Sequence, residues 1–433
     1  MWRFAPVAAL ICVIGLLPRL TDTDPALTVL KARSAERDPD PEVLAAIRAE
    51  LGLDGSWWSP LGQWLGGLPR GDAGTSWVSG APVLPSVLSA LGASLLLMAG
   101  ALLVAAVTAA AVCSRTLVLG ARRRLAHRPR AGGLSAALAA LPEFLTASVL
   151  AGVVGVQLGW LPALGWYGPR WLVLPALALG LPAGALLGRL LDDALPGAFT
   201  EPWARAATAR GVPGRRIARH ALRRCLPGLL PNLGLFVVGL TGGAVAVEQI
   251  FDIPGLGRLT LRAAIAQDLP VLQTGILALA LLAAAVGVLT RAAARPLLGP
   301  ALRDGALTTP ATPPVVDSGP GTRRGVHPLV YGAPLLLVVV AGLFRDPLHL
   351  DTARRLLPPS TAHPLGTDAL GRDMLARLGH GALATLGTAL LVGAVALLIG
   401  VLLGLLPRFS GPLVDTFNAV PAVPAGLLVT GLV

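Results

Sequence analysis

The stretch VLPSVLSALGASLLLMAGALLVAAVTAAAV, Val83 to Val112, carries no charge. It exceeds the roughly 20 apolar residues with which a helix crosses about 30 Å of hydrocarbon, and so predicts a membrane-spanning helix. Working outward, similar runs occupy Leu134 to Leu158, Trp171 to Leu187, Leu229 to Val247, Val271 to Leu289, Leu329 to Phe344 and Gly381 to Leu406. Phe4 to Leu17 is a further apolar run; Ile11 before Cys12 is too large for a lipoprotein cleavage site and no small-x-small site follows, so this run reads as an uncleaved first helix. Pro424 to Val433 reads as the start of one more crossing. The expected fold is all-α, a polytopic transmembrane helix bundle.

Composition agrees. Hydrophobic residues make up 54% of the chain and charged residues 13%, against about 25% charge in soluble proteins. The net charge of +12 does not point to nucleic acid, because the arginines sit between apolar runs and form no basic face with aromatic platforms. They mark membrane loops and lipid surfaces instead. Lys31 is the only lysine, so the Gly-x-x-x-x-Gly-Lys-Ser/Thr loop of a nucleotide site cannot occur. Cys12, Cys113 and Cys225 are far apart and lack metal or redox spacing. His127, His220, His327, His349, His363 and His380 fall in loops or at expected helix ends, not in a cluster on adjacent helices. The chain reads as a non-enzyme with no metal and no cofactor.

Loop charge sets the expected orientation. Arg115, Arg122, Arg123, Arg124, Arg128 and Arg130 crowd one loop, and Arg205, Arg210, Arg215, Arg216, Arg219, Arg223 and Arg224 crowd another two crossings later. The loop between them, around Trp160 to Arg170, has a single arginine. The positive-inside rule places the N-terminus and both arginine-rich loops in the cytoplasm of a multi-pass plasma-membrane protein, and Thr21 to Pro82 outside as a solvated cap. After the sixth run, Arg291 to His327 is rich in Pro, Gly, Thr and Ala without apolar period. It reads as a linker. The expected organisation is a six-helix unit over 1–295, a flexible cytoplasmic linker over 296–326, and an incomplete second unit over 327–433.

One charge stands inside an apolar run. Glu143, in Pro142-Glu143-Phe144, is either an interfacial group or a lining group of a wet solute path, since a carboxylate at mid-membrane costs about 2.5 to 3.5 kcal/mol.

Between the fourth and fifth runs of the first unit lies EPWARAATARGVPGRRIARHALRRCLPGLLPNLG, Glu201 to Gly234. Its alanines favour a helix, Gly211 and Pro213 break it, and Ile217 to Leu226 form a second helix, which makes a compact basic knob. A basic amphipathic helix against anionic headgroups is the alternative from chemistry alone. These residues resemble the cytoplasmic coupling loop of binding-protein-dependent ABC importer permeases of the dipeptide, oligopeptide and nickel branch. In that family the loop begins Glu-Ala-Ala, then three residues and Gly; Ala206, Ala207 and Gly211 match the spacing, with Arg205 at the Glu position. The resemblance implies that Arg205, Ala206, Ala207, Arg210, Gly211 and His220 belong to an ATPase contact.

The resemblance extends further. VEQIFDIPGLGRL, Val247 to Leu259, with Pro254, Gly255, Gly257 and Arg258, then Asp268-Leu269-Pro270, is similar to the branch's external segment after the fifth helix. RGDAGTSW, Arg70 to Trp77, resembles its external cap. The later stretch HPLGTDALGRDMLARL, with Gly366, Asp368, Gly371, Arg372 and Asp373, resembles the external loop of the partner permease, so the chain looks like a first permease joined to the start of a second. The family fold is the type I-like importer bundle. The resemblance implies partners: ABC ATPase subunits, an extracytoplasmic solute-binding protein, and another permease subunit or a second copy of this one. Peptide is the cargo it chiefly implies and nickel the alternative. A transport-silent assembly protein is the competing reading, because the second unit stops before its own coupling loop.

Overall fold

The computed structural model describes residues 24–33, 41–53, 58–125, 133–298 and 328–405. The expected first helix at Phe4 to Leu17, most of the 296–326 linker and the crossing begun at Pro424 lie outside the described residues. What is described is helical and falls into two compact units, one holding the helices up to Leu298 and the other those from Pro328 on.

The first unit opens with a small cap. Helices α1 (Pro25–Arg33), α2 (Pro41–Glu50) and α3 (Trp58–Gly67) precede a turn that leads into α4 (Val83–Ala121). Arg33 pairs with Glu50 at 3.0 Å and Arg48 with Asp24 at 2.6 Å. Such exposed pairs contribute only about 0 to 1 kcal/mol each. The interior is apolar: Val29, Leu30, Ile47, Leu51 and Trp77 cluster with Val83, Val87 and residues of two later helices. In water this burial dominates, at about 1.5 to 3 kcal/mol per large side chain.

At 39 residues α4 is about 58 Å long at 1.5 Å per residue, well beyond the hydrocarbon, so the helix carries Arg115 past the apolar run. The next run departs from expectation. Leu134 to Leu158 is not one rod: α5 (Gly133–Ala140) and the following stretch, α6 (Glu143–Val149) continued as a π-helix over Leu150–Gln157, meet at a bend of 98°. The cause is Pro142, which removes a backbone donor and holds its own φ at −63°, ending one helix and starting the next.

Helix α7 (Pro169–Thr200) packs along α4. Gly180, Gly184 and Gly188 recur every four residues, and a Cβ on Gly184 would stand 2.5 Å from the Ala105 carbonyl oxygen. Lipid tails are as apolar as leucine, so close backbone approach of small residues is what holds two such helices together. After α8 (Pro202–Ala209), α9 (Gly214–Ile250) runs 37 residues without interruption. The expected separate helix at Ile217 to Leu226 and the crossing at Leu229 to Val247 are therefore one continuous element. A hairpin leads to α10 (Leu256–Ile265) and then α11 (Leu269–Leu298).

The second unit pairs α12 (Pro328–Leu343) with α13 (Met374–Gly404). They touch where a Cβ on Gly342 would fall 2.3 Å from the Leu375 carbonyl oxygen. Among the described residues, four helices are long and apolar enough to cross a membrane, five if the bent pair counts as one span. These are α4, α7, α11 up to Leu289, and α13. The 16 residues of α12 fall short of that length.

Candidate functional site

The basic knob is built as two helices at a break. Glu201 precedes α8 in extended conformation and its carboxylate binds Arg224 of α9 at 2.5 Å and the Trp203 indole N–H at 3.1 Å. Gly211 turns the chain at φ +74°, a left-handed conformation that glycine adopts without cost, and Pro213 leads into α9. A Cβ on Gly214 would stand 2.2 Å from the Ala121 carbonyl oxygen, so the knob is pressed against the end of α4. Ala204, Ile217 and Ala221 are buried, while Arg205, Ala206, Arg210, Gly211 and His220 are exposed and Ala207 is half-buried. The His220 ring lies edge-on to Trp203, centroids 5.0 Å apart. The structure thus places Arg205, Ala206 and Ala207 on successive faces of α8, Arg210 and Gly211 at the break, and His220 on α9 beside Trp203.

The other end of α9 holds the second constellation. Glu248 is 1% exposed. Ser94 Oγ, from α4, donates to its Oε1 at 2.6 Å, and the Arg258 N–H donates to its Oε2 at 2.8 Å. Ser94 Oγ in turn accepts the Leu256 N–H at 2.8 Å. Of Pro254, Gly255, Gly257 and Arg258, the last three are held by close contacts. A Cβ on Gly255 would stand 2.1 Å from Glu248 Cδ, and one on Gly257 2.6 Å from Val245 Cγ2. The Arg258 guanidinium pairs with Asp252, which turns the hairpin at φ +57°. A small cavity of about 20 Å³, room for roughly one water, opens beside the carboxylate, lined by Leu97, Met98, Leu179, Leu256 and Leu279 among others. It lies among α4, α7, α9, α10 and α11.

Two quoted segments also meet. Asp268, at the start of α11, accepts hydrogen bonds from Ser76 Oγ at 2.5 Å and the Trp77 N–H at 3.1 Å. RGDAGTSW and Asp268-Leu269-Pro270 are two halves of one joint. Ser76, Glu248 and Asp268 lie inside the family-like segments quoted above without a role of their own, and Ser94 lies inside the apolar run Val83 to Val112. The available signal for Glu248 was a lone acid at the end of an apolar run with glycines seven and nine residues on.

Glu143 lies in the first turn of α6, half-buried, where a carboxylate complements the positive end of the helix. It is not among the cavity-lining residues.

In the second unit, Asp368 accepts from the Leu370 and Arg372 N–H groups, each at 2.9 Å, and from the Arg372 and Arg377 guanidinium groups at 2.8 and 2.7 Å. Burial raises its pKa, but the Arg372 N–H, guanidinium and charge and the Leu370 N–H outweigh that and bring it to about 2. Asp373 caps α13 through the Leu375 and Ala376 N–H groups and binds Arg345 at 2.6 Å and His363 at 3.1 Å. Its carboxyl is pushed up by burial and held lower still by His363 and Arg345. Gly366 and Gly371 both turn left-handed, and a Cβ on Gly371 would stand 1.7 Å from the Asp351 carbonyl oxygen.

Comparison with known proteins gives this architecture a family. Residues 117–303, from the end of α4 past α11, match the family described as binding-protein-dependent transport system inner membrane component. A protein of Brucella abortus (strain 2308), whose name assigns it provisionally as a peptide transport system permease, is 32% identical over 296 residues, 66% of this chain and 91% of the relative. This chain belongs to that inner-membrane family. The glutathione transport system permease protein GsiC of Escherichia coli (strain K12) is 29% identical over 268 residues, 61% of this chain and 84% of that protein. The permease is therefore a multi-pass membrane protein of the transport class, all-α as expected. Its family match includes both the knob and the Glu248 hairpin.

Proposed function

We propose that this permease carries peptide-like solutes inward across the plasma membrane, driven by ATP hydrolysis on separate subunits. The observation that supports it is the combination of relatives named for peptide and glutathione transport with a rigid knob of small and basic residues, Pro202–Ala209 and the start of Gly214–Ile250. The knob is the ATPase seat, and its arginines place it in the cytoplasm. The cap and the hairpin are then external and receive a solute-binding protein. The names of these relatives favour peptide-like cargo over nickel. The 327–433 unit is a second-permease-like element that works beside another permease subunit or a second copy, after a cytoplasmic linker at 296–326.

The test is dipeptide uptake into vesicles holding the permease with its ATPase and binding protein. ATP-dependent uptake is expected, and its absence with a fully assembled complex overturns the reading. Orientation is checked with cysteines at Glu42 and Arg219, both exposed, after the native three are replaced. Glu42→Cys should react with an impermeant thiol reagent in intact cells, Arg219→Cys only after lysis.

A further inference from the structure

We propose that Glu248 is the positioning residue of an external gate: its carboxylate latches the Leu256–Ile265 helix to α4 across the outer end of the five-helix cavity, and cargo passage requires the latch to open. The inference rests on the permease reading and its orientation. Glu248 lies 34 positions beyond Gly214 on one continuous helix, so it stands about 50 Å from the arginine-rich knob, at the opposite membrane face.

The latch joins three elements through one side chain. Ser94 comes from α4, the carboxylate from α9, and the Leu256 and Arg258 N–H groups from the first turn of α10. Ser94 is used twice, donating to Glu248 and accepting from Leu256. The latch residues themselves line the cavity: Ser94, Glu248, Leu256 and Gly257 share its wall with the apolar Leu97, Met98, Leu179 and Leu279. Opening the cavity there therefore means lifting α10 from Ser94. The glycines at 255 and 257 let the carboxylate approach the backbone so closely that no other side chain fits between them. Asp252, left-handed at φ +57° and paired with Arg258, sits at the turn about which α10 would swing.

A buried carboxylate held by a hydroxyl and a backbone N–H is well matched to such work. Its bonds are strong enough to hold a closed state, and few enough to be exchanged when a binding protein pulls on the hairpin. Truncating either partner should shift the closed-open balance without removing the cavity.

The test places a reporter cysteine at Met98, a cavity-lining position, in the full chain with Cys12, Cys113 and Cys225 replaced by alanine. Labelling by an impermeant methanethiosulfonate reagent is followed in intact cells. Glu248→Gln and Ser94→Ala should each raise the rate about tenfold or more, as expected for loss of a charge-assisted hydrogen bond. Ser94→Thr, which keeps the hydroxyl, should restore slow labelling. A cysteine at Glu42 should label at the same rate in every variant and reports correct folding. If Glu248→Gln does not accumulate, Ser94→Ala with its threonine rescue carries the test. Unchanged Met98→Cys labelling in Ser94→Ala overturns the latch. Dipeptide uptake measured in parallel separates the two readings: uptake by the parent chain with unchanged labelling sinks the gate alone, and absent uptake with faster labelling sinks the cargo assignment alone.

Discussion

Ser76 Oγ donates a 2.5 Å hydrogen bond to Asp268 Oδ2 across 192 residues of sequence. It fastens the cap to the start of α11, with the Trp77 N–H as a second donor at 3.1 Å. Both residues are buried, Ser76 at 8% and Asp268 at 4% exposure. A hydrogen bond to a buried charge is worth about 1.5 to 3 kcal/mol. Ser76→Ala should therefore speed hydrogen exchange at the Trp77 and Val83 amides about tenfold or more, while exchange along 176–187 stays unchanged. Equal exchange in the cap would show the bond to be idle.

The arginine-rich knob, proposed as the ATPase seat, makes a steric prediction. Ala206 is exposed beside the buried Ala204, so enlarging it leaves the knob's own packing alone. Overpacking a contact costs about 1 to 3 kcal/mol. Ala206→Trp should cut ATPase association about tenfold, with normal membrane insertion. Undiminished capture of the ATPase by this variant would remove the residue from the contact.

Glu143, just past the bend at Pro142, separates an interfacial role from a solute-path one. Its place in the first turn of α6 gives the carboxylate a favourable helix end, worth about 0.3 to 1 kcal/mol, whether or not solute passes it. We expect Glu143→Gln to lower uptake of cationic peptides more than of neutral ones at equal expression, as a solute-path residue would. Identical uptake of both classes would return Glu143 to a purely interfacial role.

Asp368 makes the second unit acid-sensitive. Its folded pKa is depressed to about 2, so the stability it supplies is fully present above the unfolded value near 3.9 and is lost as pH falls toward 2. Asp373, also lowered, acts in the same direction. Carboxyl-carbon NMR should show Asp368 titrating near 2, and Arg372→Gln should move it upward toward the ordinary range. An unmoved titration in that variant would mean that Arg372 is not a cause.

Much was legible in one dimension. Apolar runs longer than a bilayer predicted the spans at Val83, Trp171, Val271 and Gly381, because lipid leaves the backbone no partner outside its own helix. Gly211 and Pro213 marked the break in the knob by their own dihedral chemistry. Other features were decided only by tertiary contact. The 98° bend came at Pro142, inside a run that reads as one apolar helix, and hydropathy does not sense bends. Helix α9 continued through Gly214–Ile250 where composition suggested two elements, and it packs against α4 and α7. The pairings Ser76–Asp268 and Ser94–Glu248 join residues 192 and 154 positions apart. Sequence alone determined the four long apolar helices among the described residues, because in lipid each helix must satisfy its own backbone. Which buried carboxylate meets which hydroxyl was decided by the packing of separate helices, a relation that chain order does not encode.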